Sequence, residues 1–207
     1  IIERPVFGNG KAYNDYGQGF YCTEHIELAK EWACTDGTDG YANKYEIETD
    51  GLSILNLSSD EYTILNWLAM LMLHRKGRLS APVAKRGRDY LIENFLPDFK
   101  GYDVIIGYRA DDSYFDYAES FLNNGISVEQ LARAMRLGKL GEQIVIKSQF
   151  AFSKLKFEGF EVAEKDKYYV LRKARDDEAN RMYSERLEED DDGLYIRDIM
   201  RGGIRND

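Results

Sequence analysis

Between Tyr102 and Tyr108 the chain sets three β-branched residues, Val104, Ile105 and Ile106, in succession. A strand that is apolar on both sides suits cover on both faces, so this stretch predicts a buried central strand. Further strands are expected over Asn43 to Glu48, where Tyr45 and Ile47 alternate with charges, and over Leu52 to Leu57, between Asp50-Gly51 and Ser58-Ser59. These two lie close enough to form a hairpin. Glu142 to Lys147 and Leu155 to Val162 supply two more. Helical periodicity fills the gaps. A helix capped by Thr23 carries His25, Leu28, Ala29, Trp32 and Ala33 on one face, and a longer one from Asp60 to Arg75 buries Leu65, Leu68, Ala69 and Met72. Another resumes near Tyr114, and Ser127 with Gln130 forms a capping box before Leu131, Ala134 and Met135. Strands scattered among helices without a regular βαβ rhythm predict an α+β fold.

The 207 residues fit one domain, read as residues 1 to 173, followed by a charged tail from 174 to 207. Residues 76 to 100, with Pro82, Pro97 and a short helix around Tyr90, Leu91 and Phe95, read as an insertion. In the tail, Glu188 to Asp192 is an acidic run, and Tyr195, Ile196, Ile199 and Met200 form an apolar face suited to docking on the domain or on a partner. With 43% hydrophobic and 31% charged residues the composition is that of a soluble protein, and no apolar run is long enough to span a bilayer. The net charge of −9 argues against a broad phosphate-backbone footprint. Cys22 and Cys34 make neither a disulfide framework nor a zinc site, so no metal is expected and both read as reduced thiols in a cytoplasm.

The chemistry is expected in Asp15-Tyr16-Gly17-Gln18-Gly19-Phe20-Tyr21-Cys22-Thr23. Gly17 and Gly19 admit close backbone approach, the aromatics Phe20 and Tyr21 can cover a flat ring, and the helix start at Thr23 offers N–H groups to an anion. A nicotinamide and a pyrophosphate match that combination; aromatics packed around a core turn match it as well. Gly8-Asn9-Gly10-Lys11 lacks the spacing of a phosphate-binding P-loop and reads as a turn. Cys22 and His25 lack the supporting groups of a thiol nucleophile.

The run Tyr16-Gly17-Gln18-Gly19-Phe20-Tyr21-Cys22-Thr23 resembles the F-G-x-G-x-Y-x-(T/A) segment of poly(ADP-ribose) polymerase-like and diphtheria-toxin-like transferases. Asn14 to Ala33, Tyr102 to Asp112 and Glu142 to Phe157 are similar, in matching order, to a bacterial family of unknown-function domains, number 3990, assigned to the ADP-ribosyltransferase superfamily. The resemblance implies two small mixed sheets forming a split core with flanking helices. It implies binding of nicotinamide adenine dinucleotide (NAD) as co-substrate, with Gly17, Gly19, Phe20, Tyr21 and Thr23 at the dinucleotide and Tyr21 packed on nicotinamide. It further implies a carboxylate or amide at the head of a later strand, Glu142 or Gln143, on the nicotinamide ribose. A carboxylate there opposes positive charge as nicotinamide leaves. Glu142 occupies the transferases' position and Gln143 the place that recurs in the bacterial family; adjacent strand residues point to opposite faces, so only one can face the cleft.

Asp112, at a loop-to-helix junction, is implied near the acceptor substrate, whereas as a bare residue it reads more commonly as a helix cap. Arginine-specific relatives carry a glutamate or glutamine two residues before the catalytic glutamate; here that place holds Leu140 or Gly141, which disfavours an arginine acceptor. The relatives' cofactor-orienting His-Gly pair is expected upstream of Ile1, since the histidines here are His25 and His74. The implied activity is transfer of one ADP-ribosyl group to a protein or nucleic-acid acceptor, or NAD hydrolysis, by a bacterial toxin or defence effector; a separate reading of the acidic tail makes it the dock for a regulatory protein partner that restrains a toxic activity. The alternative is a catalytically silent module of the same fold that binds NAD or ADP-ribose, or a protein.

Overall fold

The strand over Val104–Tyr108, β4, has both faces occupied: Val104 is 3% exposed and Ile105 fully buried. The computed structural model describes residues 1–75, 77, 79–110, 112–137, 142–187 and 192–203, and the architecture is α+β with two small sheets. In the first sheet β1 (Phe20–Cys22) pairs antiparallel with β5 (Glu142–Ile146), β5 antiparallel with β4, and β4 parallel with β3 (Ile54–Asn56). The second sheet is an antiparallel pair, β2 (Gly40–Ile47) with β6 (Leu155–Ala163).

On one face of the first sheet, Tyr21, Ile105 and Val145 join the main core. That core is built from α2 (Ile64–His74), α3 (Pro82–Phe95), α4 (Asp112–Leu122) and α5 (Val128–Leu137). On the other, Val104 and Ile146 meet Ala151 of α6 (Gln149–Ser153), with Phe20, Cys22, Ile106 and Ile144 beside them and Ile47 and Leu155 reaching in from the second sheet. β4 therefore reads as uniformly apolar because it separates two cores.

The expected hairpin between residues 43–48 and 52–57 does not form. β2 pairs with β6, in a register that includes Tyr45↔Phe157 and Ile47↔Leu155, and β3 joins β4 instead. The connection is redirected at Ser53, whose N–H and hydroxyl both donate to the Asp103 carboxylate, at 2.9 and 3.0 Å. That ties β3 to the start of β4, where Leu55 and Leu57 are buried.

Helix starts also shift. α2 begins not at Asp60 but after Thr63, whose N–H donates to the Asn66 side chain at 2.7 Å in a capping box. The box expected at Ser127 forms, with Ser127 N–H donating to Gln130 Oε1 at 2.8 Å and Gln130 N–H to Ser127 Oγ at 3.0 Å. The segment 76–100, expected as an insertion, carries α3, and its Val83, Ala84, Leu91 and Phe95 are buried in the main core. Residues 165–187 form one helix, α7 (Lys165–Leu187), which runs through the expected domain boundary at 173 and is tied back by Arg175, donating to the buried Glu31 carboxylate at 2.8 and 3.1 Å. Ile196 and Ile199 of the tail are fully buried, Ile196 lying against Gly87 of α3, so the apolar tail face docks on the domain. Of the acidic run, Glu188 to Asp191 lie outside the described residues.

Candidate functional site

Four polar side chains hold the glycine–aromatic loop against the ends of β4 and β5. Asp15 is 7% exposed, and its Oδ2 accepts from Ala110 N–H at 3.0 Å and from the Gln143 amide at 2.8 Å. Its Oδ1 lies 3.5 Å from Arg75 Nε, and Arg75 also donates to the Ala110 carbonyl at 2.9 Å. Burial pushes the Asp15 carboxyl above its ordinary value, while Arg75, Ala110 and Gln143 pull it back. Lys147 donates to the carbonyls of Tyr16 and Gln18, at 2.7 and 2.6 Å, and its own burial lowers its pKa.

Tyr16 is fully buried; its hydroxyl donates to the Tyr108 carbonyl at 2.6 Å, and Trp67 Nε1 donates to the same oxygen at 3.0 Å. Because Trp67 still satisfies that carbonyl when the hydroxyl is removed, Tyr16→Phe is expected to cost only about 0.5–1.5 kcal/mol in chemical denaturation. A loss beyond about 3 kcal/mol would show that the hydroxyl does more than this bond.

Gly17 needs its missing side chain. It has φ +74°, and a Cβ there would lie 2.7 Å from the His74 ring. At Gly19 a Cβ would lie 2.5 Å from Val145 Cγ1, so this glycine allows the loop to settle on β5. His74 is packed under the loop edge-on to Phe99, and its Nε2 is buried without a hydrogen-bond partner among the described residues. Burial, reinforced by the Lys147 charge, pushes it down to about 4 from 6.5. The sign follows. The folded state keeps His74 neutral while the unfolded chain protonates it below about 6.5, so its share of stability is whole above that pH and is lost as pH falls toward 4. Thermal melts across that window are expected to show a falling midpoint, and His74→Gln a smaller fall. Parallel curves would refute the assignment.

The strand register sorts the expected site residues onto two faces. Tyr21↔Val145↔Ile105 places Tyr21 toward the helices, and Gln143, opposite Gly107, shares that face. The Tyr21 hydroxyl donates to the Gly17 carbonyl at 2.7 Å and accepts from Tyr16 N–H at 3.0 Å; burial raises its pKa. Gln143 is 5% exposed and committed to Asp15. Phe20 points the other way, into Tyr45 and Phe152, with ring centroids 5.4 and 6.1 Å apart. Cys22 also faces that side, its thiol pushed up to about 12 by burial. Thr23 Oγ1 accepts from His25 N–H at 3.2 Å and so orders the turn before α1 (Ile26–Ala33), whose N-cap is His25. Asp112 opens α4, and its side chain, like Leu140 and Gly141, lies outside the described parts of the structure.

Glu142 sits on the face opposite Gln143. It lines a shallow cleft with Glu24, His25, Ile106 and Ile144, of about 50 Å³. Antiparallel pairing ends at Cys22↔Ile144, and past the end of β1 Glu24 and His25 line the cleft together with Glu142. This is how residues far apart in sequence come together at one rim. Past the end of β4, the Arg109 guanidinium lies 4.6 Å over the Trp32 ring of α1, and Trp32 Nε1 is buried without a hydrogen-bond partner among the described residues. The guanidinium is drawn to the indole face by the negative face of the ring quadrupole. The sequence reading missed the Asp15–Arg75–Gln143 cluster and the cleft position of His25. An Asp before glycines reads as a turn, and a histidine at a helix start reads as part of its face.

Residues 1–157 match the model of a family described as a protein of unknown function, DUF3990. The chain belongs to this family. The DUF3990 span takes in β1, β4, β5 and the cleft, ends within β6, and leaves α7 and α8 (Ile196–Asp198) beyond it. No curated protein and no solved structure matches the chain. Among the described residues there is no cluster of three or more side chains that could hold a metal, and no helix long and apolar enough to cross a membrane.

Proposed function

We propose that this DUF3990 protein is an NAD-dependent ADP-ribosyltransferase, which transfers ADP-ribose to a protein or nucleic-acid group or to water. The observation that carries this reading is the position of Glu142. It heads the strand paired with the glycine–aromatic strand and is exposed in the cleft beside His25. A carboxylate at that rim suits the charge that develops on a ribose as nicotinamide departs with the electrons of the glycosidic bond. In this reading Glu142 faces the nicotinamide ribose, Thr23 orders the turn at the rim, and Gly17, Gly19, Phe20 and Tyr21 set the dinucleotide wall through the packing that holds the loop and β1 in place. Gln143 fixes the strand head from behind through Asp15, and Asp112 lies toward the acceptor.

A cleft of about 50 Å³ holds a water molecule or two, whereas a nucleotide ligand fills several hundred Å³. Entry of NAD therefore requires the rim to open. Glu24, His25 and Glu142 are all exposed and turn without disturbing a core.

The test is release of nicotinamide from NAD, followed by chromatography, together with calorimetric titration of NAD. Release supports the transferase. Binding without release would replace it with a silent binding module. Neither binding nor release would leave a protein-interaction domain.

A further inference from the structure

We propose that His25 is the general base of this cleft, taking the proton from the water or hydroxyl group that attacks the ribose. The proposal rests on the transferase reading. In that reaction the C1′–N bond to nicotinamide breaks and its electron pair stays with nicotinamide, discharging the ring. A bond forms from the nucleophile's oxygen to C1′, and the nucleophile's proton has to leave. Glu142 is assigned to the developing positive charge, and a second group is needed for the proton.

The titratable side chains lining the cleft are Glu24, His25 and Glu142. Of the two side-chain types, an imidazole exchanges protons nearest neutrality, whereas a carboxylate gives a weak base there. The backbone places His25 for the role. Its N–H is held by Thr23 Oγ1 at 3.2 Å, just past the end of β1. As the N-cap of α1 its side chain makes no capping hydrogen bond and is exposed. The main chain thus holds the residue at the rim, and the exposed ring remains available to a ligand. It also stands on a different element from Glu142, so the two groups can approach one carbon from different sides.

The experiment compares wild type, His25→Ala and His25→Gln, with thermal midpoints recorded for each; both variants are expected to melt with wild type because the side chain is exposed. Turnover with water or with the acceptor is expected to fall by about 10²-fold or more. Azide attacks C1′ without surrendering a proton, so it should restore nicotinamide release in both variants and yield the 1-azido-ADP-ribose product, identified by mass. Wild-type turnover in both folded variants would overturn the proposal while leaving the transferase reading intact. So would a loss that azide does not repair. Absence of nicotinamide release from wild type itself would remove the transferase reading and the base together.

Discussion

Glu142→Gln is expected to lower nicotinamide release by about 10²–10³-fold while leaving the thermal midpoint unchanged. The substitution keeps shape and removes charge, and the side chain is exposed at the head of β5, so the fold has little to lose. Because Glu142 is assigned to charge that appears only as the glycosidic bond breaks, the loss should fall on kcat, with KM for NAD changing little. Azide should not rescue this variant, in contrast to those at His25. Gln143→Ala makes the counterpart. Its amide is buried against Asp15, so it is expected to lower the midpoint first and activity through the fold. Wild-type kcat in Glu142→Gln would remove the central residue of the transferase reading.

Asp15→Ala is expected to cost about 3–5 kcal/mol, a drop of about 6–20 °C in thermal midpoint. The reason is what remains behind. Without the carboxylate, the Ala110 N–H and the Gln143 amide lose their buried acceptor, and Arg75 loses its ion pair. Asp15→Asn retains an acceptor oxygen and should cost distinctly less. The pH dependence has a defined sign. Burial holds the folded-state pKa of Asp15 above its ordinary 3.8, so the folded state keeps the proton more tightly. Lowering the pH through that raised value toward 3.8 therefore favours folding at this residue, opposite to the effect at His74. Equal midpoints for Asp15→Ala and wild type would show that the loop is held by Tyr16 and Lys147 alone.

Local signals in the sequence survived folding where they rest on neighbouring residues. Val104 to Ile106 marked the central strand, Ser127 and Gln130 marked a helix start, and Ile196 with Ile199 marked a docking face, because side-chain alternation and capping are short-range matters. Gly17 and Gly19 were likewise legible as places of close approach. Partners remote in sequence were not. Nothing within residues 43–57 says that β2 will choose β6 and β3 will choose β4, since that choice depends on the Asp103 carboxylate and on which core receives Leu55.

The same division holds at the site. By itself the sequence determined the residue types available for the chemistry: a glycine–aromatic segment, a Glu-Gln pair opening a strand, and a histidine in the first turn of an expected helix. It also determined that Glu142 and Gln143 must point to opposite faces, because side chains alternate along a strand. Only the tertiary structure decided which face each received. Gln143 turned inward because Asp15, held by Arg75 and the Ala110 N–H, offers its amide a buried acceptor, and Glu142 was thereby turned outward to meet His25 at the end of β1. A carboxylate without such buried partners stays where water can reach it.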